Sequence, residues 1–192
     1  MSATDTSDAR GQGGSHIHTD SAPVFESPNP SDGADLWRLA RDSKTLDLNS
    51  PYTYLLCASH FADTSVVARV DGRTAGFVFG YLRPDSPDTV FVWQVAVDDA
   101  YRGRRLGVGM LQALADRLQP LGCRYLECSV TPDNTASTAL FGAFARSRKA
   151  PMVNDRVLFT AAMFPPAESN PTAPDTNSHQ EEVLFRIGPF SS

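Results

Sequence analysis

One stretch of this sequence constrains the fold more than any other. Phe91-Val92-Trp93-Gln94-Val95-Ala96-Val97 is nearly all apolar, the pattern of a strand buried on both faces, and it runs shortly into Arg102-Gly103-Arg104-Arg105-Leu106-Gly107-Val108-Gly109. Met110, Leu111, Leu114, Ala115 and Leu118 then repeat with helical period as far as Pro120. A central strand, a basic glycine-rich turn and a helix therefore stand in a row. Backbone N–H groups at such a helix start, with glycines permitting close approach and arginines adding charge, form a cradle for a diphosphate. The turn carries neither GxGxxG nor the Walker pattern, which argues against a dinucleotide or ATP loop.

The elements around this unit follow from periodicity and punctuation. Leu36, Leu39 and Ala40 fall at helical spacing, and after the loop Asp47-Leu48-Asn49 the pair Ser50-Pro51 opens a second helix as N-cap and first-turn proline. Thr64 to Val70, the turn Asp71-Gly72, and Thr74 to Tyr81 read as strand, tight turn and strand, with Pro84 to Asp88 as the loop to the central strand. Downstream, Tyr125 to Val130 is a predicted strand, Thr135 to Ala145 a helix with Leu140, Phe141 and Phe144 inward, Val157 to Phe164 a strand, and Val183 to Ile187 the last strand. The order α α β β β α β α β β predicts an α/β sandwich around a mixed, largely antiparallel central sheet. A length of 192 residues with 41% apolar content suits one domain, over residues 33–192. Met1 to Asp32 is rich in Ser, Thr, Asp, Gly and Pro and predicts a disordered leader. Pro165 to Ser178 reads as a long loop, beyond the ~12 residues usual in compact domains.

Charge and cysteine usage exclude several function classes. A formal charge of -5 gives no global field to hold a nucleic-acid backbone, and Arg102, Arg104 and Arg105 form a local exception suited to a small anion. Cys57, Cys123 and Cys128 show neither CxxC nor zinc-ligand spacing, so reduced thiols in a cytoplasm are expected, packing as small hydrophobes. His16 and His18 lack a third ligand, and no metal site is expected. No export signal and no run near the ~18 apolar residues of a membrane helix is present, so no membrane association is expected.

The basic turn and its flanking elements resemble the GNAT acetyltransferases, whose pyrophosphate loop follows the fourth strand and reads Gln/Arg-x-x-Gly-x-Gly/Ala. Arg104, Gly107 and Gly109 satisfy that pattern, whereas in a register begun at Arg102 the glycine position holds Arg105. The resemblance implies a GNAT-like sandwich and acetyl-CoA as cosubstrate, with Arg102, Gly103, Arg104, Arg105, Gly107, Val108 and Gly109 around its diphosphate. It also implies a fourth strand splayed from the fifth, where Val95 and Val97 offer backbone groups to the pantetheine and the thioester oxygen. Asn134 resembles the asparagine used against the pantetheine arm, with a plain N-cap as its other reading. Phe141 stands where many members carry a tyrosine acid.

A narrower resemblance spans most of the folded chain. Leu46-Asp47-Leu48-Asn49-Ser50-Pro51-Tyr52, the strand Phe91 to Val97, Val130-Thr131-Pro132-Asp133-Asn134, and His179-Gln180-Glu181-Glu182 before Leu184-Phe185-Arg186-Ile187-Gly188 together resemble the diaminobutyrate acetyltransferases of ectoine biosynthesis. That resemblance implies transfer of acetyl to the 4-amino group of L-2,4-diaminobutyrate, in the cytoplasm, by a homodimer, in the service of osmotic stress.

Such a substrate carries two ammonium groups and a carboxylate, so its pocket needs anions for the amines and a donor for the carboxylate. Asp47, Glu182 and Glu181 are candidates for the first. Asn49, Tyr52, Trp93, Gln94 and His179 complete the expected substrate-binding set, Trp93 having core packing as its other reading. Arg186 or backbone N–H groups are candidates for the carboxylate. The amine must lose a proton before attack, at a cost of about 4 kcal/mol at pH 7, which predicts a carboxylate base, with Glu182 first. A Val95-region N–H is expected to steady the oxyanion in direct transfer. Action on another small or peptide amine, and a non-catalytic acyl-CoA-binding regulator, are the alternative readings.

Overall fold

The computed structural model describes residues 21–165 and 179–190. Among them, seven strands form one sheet in the order β1-β2-β3-β4-β5-β7-β6. In chain order the elements are β1 (Val24–Glu26), α1 (Gly33–Ser43), α2 (Pro51–His60), β2 (Val66–Val70), β3 (Arg73–Arg83), β4 (Ser86–Val97), α3 (Leu106–Leu118), β5 (Tyr125–Val130), α4 (Thr135–Ser147), β6 (Met152–Phe159) and β7 (Glu182–Ile187). β4 and β5 pair in parallel, and the other neighbours are antiparallel. The expected mixed, largely antiparallel sandwich is therefore present.

Each face of the sheet is covered because each helix presents one apolar stripe. Leu36, Leu39 and Ala40 of α1 and Tyr54, Cys57 and Ala58 of α2 pack on Val67, Phe77, Phe79 and Ala96. On the other face, Leu106, Met110, Leu111, Leu114 and Leu118 of α3 and Phe141, Phe144 and Ala145 of α4 pack on Val66, Val78, Val90, Val92 and Leu126.

An irregularity in β4 governs the site. Phe79 of β3 faces Gln94 and Gly80 faces Val92, so Trp93 is an extra residue with no partner opposite, a β-bulge. The bulge reverses the inside-outside alternation of the strand. Val90 and Val92, before it, belong to the core under α3 and α4, whereas Ala96, after it, belongs to the core under α1 and α2. The β4–β5 ladder runs from Thr89 and Tyr125 to Val92 and Cys128 and stops there. Beyond this point β5 continues against β7, with Ser129 opposite Leu184 and Val130 opposite Val183. Among the described residues, those from Trp93 to Val97 have β3 on one side and no strand on the other, so the backbone groups that point away from β3 have no ladder partner there.

The structure corrects several sequence-based boundaries. The leader does not extend to Asp32: β1 pairs with β2, with Phe25 opposite Ala68, and Phe25 packs against the core under α3. Asp32 is buried and receives Arg69 Nη2 at 2.9 and 3.1 Å, while Glu26 pairs with the same guanidinium. A three-residue strand among prolines and serines is too short to show a period; the edge of β2 makes it. Residues 1–20, with His16 and His18, and residues 166–178 of the expected long loop lie outside the described part. β6 begins at Met152 and ends at Phe159, not Phe164, because Ala161–Met163 forms a tight helical turn. β3 runs on to Arg83 and β4 begins at Ser86, which leaves a two-residue connection where a longer loop was expected.

Candidate active site

Where β4 parts from β5 the fold opens a cavity of about 530 Å³. Val92, Trp93, Gln94 and Val95 form one wall, and Cys128, Ser129, Val130 and Thr131 the other. Thr45, Leu46, Asp47 and Asn49, from the loop between α1 and α2, close one side. Asn134, Ser137 and Phe141 of α4 close another. The remaining boundary comes from Phe164, His179, Gln180 and Glu182, on the two chain segments that flank residues 166–178. The rings of Phe164 and His179 stack at 4.7 Å, and Gln180 Nε2 donates to Asp133 Oδ2 at 2.8 Å, fastening that segment to the turn before α4.

The cavity suits a cationic guest. Among the described residues, its lining includes Asp47, Asp133 and Glu182 and no lysine or arginine. The hydroxyl of Thr131, with a smaller contribution from Gln180, holds the Asp133 carboxyl below its ordinary range and so keeps it ionised. Cys128 shares this lining as a buried thiol: burial pushes it well above the usual value, which favours the protonated form. Cys57 and Cys123 are likewise buried thiols raised by desolvation.

The basic turn lies beside this cavity in sequence but contributes nothing to its lining. Gly103 has φ +79° with open space around it, and Arg105 occupies the left-handed region at φ +60° as the N-cap of α3. No side chain caps that helix. The bond from Gly109 N–H to Arg105 O, at 3.0 Å, spans its first turn, so the N–H groups of Leu106, Gly107 and Val108 lack helical acceptors. Three such donors at a positive helix end suit a diphosphate. Arg102 meets Asp99 at 2.7 Å, both exposed, and the Arg104 guanidinium lies 5.3 Å from the Tyr101 ring centroid. The α3 glycines have a packing role that the sequence did not reveal. A Cβ on Gly107 would come 2.9 Å from Leu140 Cδ1, and one on Gly109 would overlap the Phe25 ring.

The structure gathers Asp47, Asn49, Trp93, Gln94, Val95, Asn134, His179 and Glu182 around one cavity, and it leaves other expected residues out. Tyr52 is 66% exposed on α2 and lies outside the lining, because the first turn of that helix faces solvent. Glu181 is also outside it, and Val97 lies further along the splayed strand. Arg186 is not available to a substrate carboxylate: it pairs with Glu127, buried to 2% exposure, and its guanidinium lies 3.8 Å from the Tyr125 ring centroid. Arg83 holds the other Glu127 oxygen at 2.5 Å. Trp93 is 46% exposed at the bulge and is not a core residue. Asn134 does cap α4, accepting from Ser137 N–H at 3.0 Å, and still borders the cavity. Thr45, Ser129, Ser137 and Phe164 were not expected in the lining, whereas Gln180 falls within the polar segment His179 to Glu182. Phe164 reads in the sequence as the end of a strand, and a lone serine or threonine carries no sequence signal.

The seven-stranded sheet, its bulged and splayed fourth strand and the uncapped helix start behind it are features of the GNAT-like sandwich that the resemblance implied. The model of the acetyltransferase (GNAT) family matches residues 33–144, and the chain belongs to this family. Within it, the chain is 50% identical over 171 residues to the L-2,4-diaminobutyric acid acetyltransferase of Streptomyces coelicolor, covering 88% of this chain and 94% of that protein. It is 48% identical over 168 residues to the enzyme of the same name from Nocardia farcinica, covering 88% of this chain and 81% of that one. Among solved structures, it is similar to the diaminobutyrate acetyltransferase of Paenibacillus lautus in complex with L-2,4-diaminobutyric acid and coenzyme A. That match has 37% identity and a TM-score of 0.77, over 89% of this chain and 97% of the other.

Proposed function

We infer that the protein transfers the acetyl group of acetyl-CoA to the 4-amino group of L-2,4-diaminobutyrate. The observation that carries this reading is the cavity at the β4–β5 split, where Asp47, Glu182 and Val95 share one lining that holds no lysine or arginine among the described residues. The similarity to diaminobutyrate acetyltransferases over most of the chain supports it.

Each step has a residue to perform it. One carboxylate is sufficient to hold an ammonium group, and two suit a diammonium substrate. Asp47 holds the ammonium that does not react, and Glu182 takes a proton from the reacting one, directly or through a water. The freed nitrogen lone pair attacks the thioester carbonyl. The resulting oxyanion is met by the Val95 N–H on the splayed strand, collapse breaks the C–S bond, and the second proton on nitrogen passes to solvent. Phe141, where a tyrosine acid stands in many GNAT enzymes, carries no proton to give. A thiol with an ordinary pKa near ~8.5 leaves as thiolate, so this need not prevent turnover. The buried, protonated Cys128 agrees with direct transfer rather than an acyl-enzyme.

The diphosphate rests on the N–H groups of Leu106, Gly107 and Val108, with Gly103, Arg102, Arg104 and Arg105 around it. Val97, Gly109 and Asn134 extend this cosubstrate site. No metal takes part. The protein works as a cytoplasmic homodimer without nucleic-acid or membrane partners, and its product feeds ectoine synthesis under osmotic stress. The sheet edge at β6, where Val153, Val157 and Phe159 are exposed, supports a dimer. No helix among the described residues is long and apolar enough to cross a membrane.

An amine panel with acetyl-CoA tests the substrate. The expected result is N4-acetyl-2,4-diaminobutyrate as the main product, identified by NMR. Faster turnover of a mono-amine or a peptide amino terminus would overturn the reading.

A further inference from the structure

One buried polar side chain at the acceptor site has only half of its hydrogen bonding complete. Gln94 follows the bulged Trp93 and precedes Val95, and it is 5% exposed. Its Nε2 donates to the main-chain carbonyl of Asp47 at 3.0 Å, while its Oε1 is buried and has no partner among the described residues. The orientation of the amide follows from that contact, because turning it over would set Oε1 against a carbonyl oxygen.

A buried acceptor without a partner destabilises a fold, so an apolar side chain of similar size would suit the packing at least as well. What the amide supplies is the bond to Asp47. The other hydrogen bonds of the loop between α1 and α2 stay local. Asn49 Nδ2 donates to the same Asp47 carbonyl at 3.3 Å, Thr45 N–H to Ser43 Oγ at 3.4 Å, and Ser50 Oγ meets Thr53 Oγ1 at 3.2 Å. Among the described residues, the Gln94 bond is the one that joins this loop to the sheet.

We propose that Gln94 is a positioning residue that ties the acceptor loop to the splayed strand, fixing the Asp47 carboxylate relative to the Val95 N–H without itself touching the substrate. Gln94 is one of the residues expected to bind substrate; it borders the cavity, and the contact its amide makes is with the acceptor loop. The inference rests on the proposed acetylation of diaminobutyrate. The tether works through the backbone of the loop, so its loss is felt by the acceptor and not by the distant diphosphate cradle.

Steady-state kinetics of Gln94→Met, together with thermal melting, test it. Met keeps the volume and removes both the tether and the unpartnered oxygen. The expected result is a Tm at or above wild type, a KM for diaminobutyrate raised about tenfold, and a KM for acetyl-CoA within about twofold. Unchanged acceptor KM would overturn the role, as would a parallel rise in both KM values with a fall in Tm, the mark of a merely structural residue. Gln94→Asn, one methylene short of Asp47, carries the same readout should the Met variant not fold. In it, hydrogen exchange at residues 45–49 is expected to rise about tenfold, and wild-type protection there would also overturn the tether. Wild-type protein without turnover on diaminobutyrate would instead remove the proposed acceptor, and this role with it.

Discussion

Gly109 of α3 lies directly under the ring of Phe25 of β1, so close that a single added methyl group would overlap the ring. The helix that follows the basic turn is thus seated on the strand farthest from it in sequence. Phe25 also brings with it Asp32, paired with Arg69. Deleting residues 1–20 is expected to leave activity intact, whereas deleting residues 1–32 removes β1, uncovers α3 and strands the Arg69 charge. The longer truncation should lose about 3 kcal/mol or more of stability. Equal melting temperatures for the two truncations would contradict this.

Glu182→Gln keeps the shape of the side chain and removes its charge and basicity. Turnover of diaminobutyrate should fall roughly a hundredfold or more while CoA affinity stays at the wild-type value. Kinetics at several pH values decide, since wild-type kcat/KM across the range would show that another group takes the proton.

Asp47→Asn leaves the main-chain carbonyl that Gln94 holds and alters only the side chain. If Asp47 holds the non-reacting ammonium, the acceptor KM rises roughly tenfold or more and kcat changes little. A loss confined to kcat would move Asp47 into the chemistry.

Arg105→Gly separates the conformational from the electrostatic role of the basic turn. Glycine accepts the left-handed φ of +60° without steric cost, so stability should rise by about 1 kcal/mol. Affinity for acetyl-CoA should nevertheless drop several-fold, because a cation leaves the diphosphate site. Calorimetric titration with CoA reads the second effect, and unchanged affinity would take Arg105 out of the cradle. Gly107→Glu should also weaken CoA binding, but it is less clean, since its Cβ meets Leu140.

Asp133 should titrate below the ordinary aspartate value of ~3.9, with Thr131 as the main cause and Gln180 the lesser. Stability from this lowered carboxyl is present above the unfolded value and is lost as pH falls through the folded one, so the clasp to Gln180 weakens only below the ordinary aspartate range. Carbon-detected NMR titration checks the order: Thr131→Val should raise the midpoint more than Gln180→Ala. The reverse order would overturn it.

The sequence by itself determined the strand, basic turn and helix, the two helices before them and the alternating elements after them, because each rests on local periodicity and punctuation. It also pointed to Asp47, Trp93, His179 and Glu182, which share one cavity. Tertiary structure decided the rest. The bulge at Trp93 is a property of the register between β3 and β4 and cannot be read from β4 alone, yet it sets which side chains face the opening. Arg186 was an open cation in the sequence and is claimed by Glu127 across the β5–β7 ladder. Tyr52 sits in the first turn of a helix, and that turn faces outward; Phe164 reaches the cavity only because a tight turn ends β6 before it. Local patterns specify elements, but pairing partners, burial and the choice of which ion pair forms depend on residues distant in the chain, and those distances close only when the sheet does.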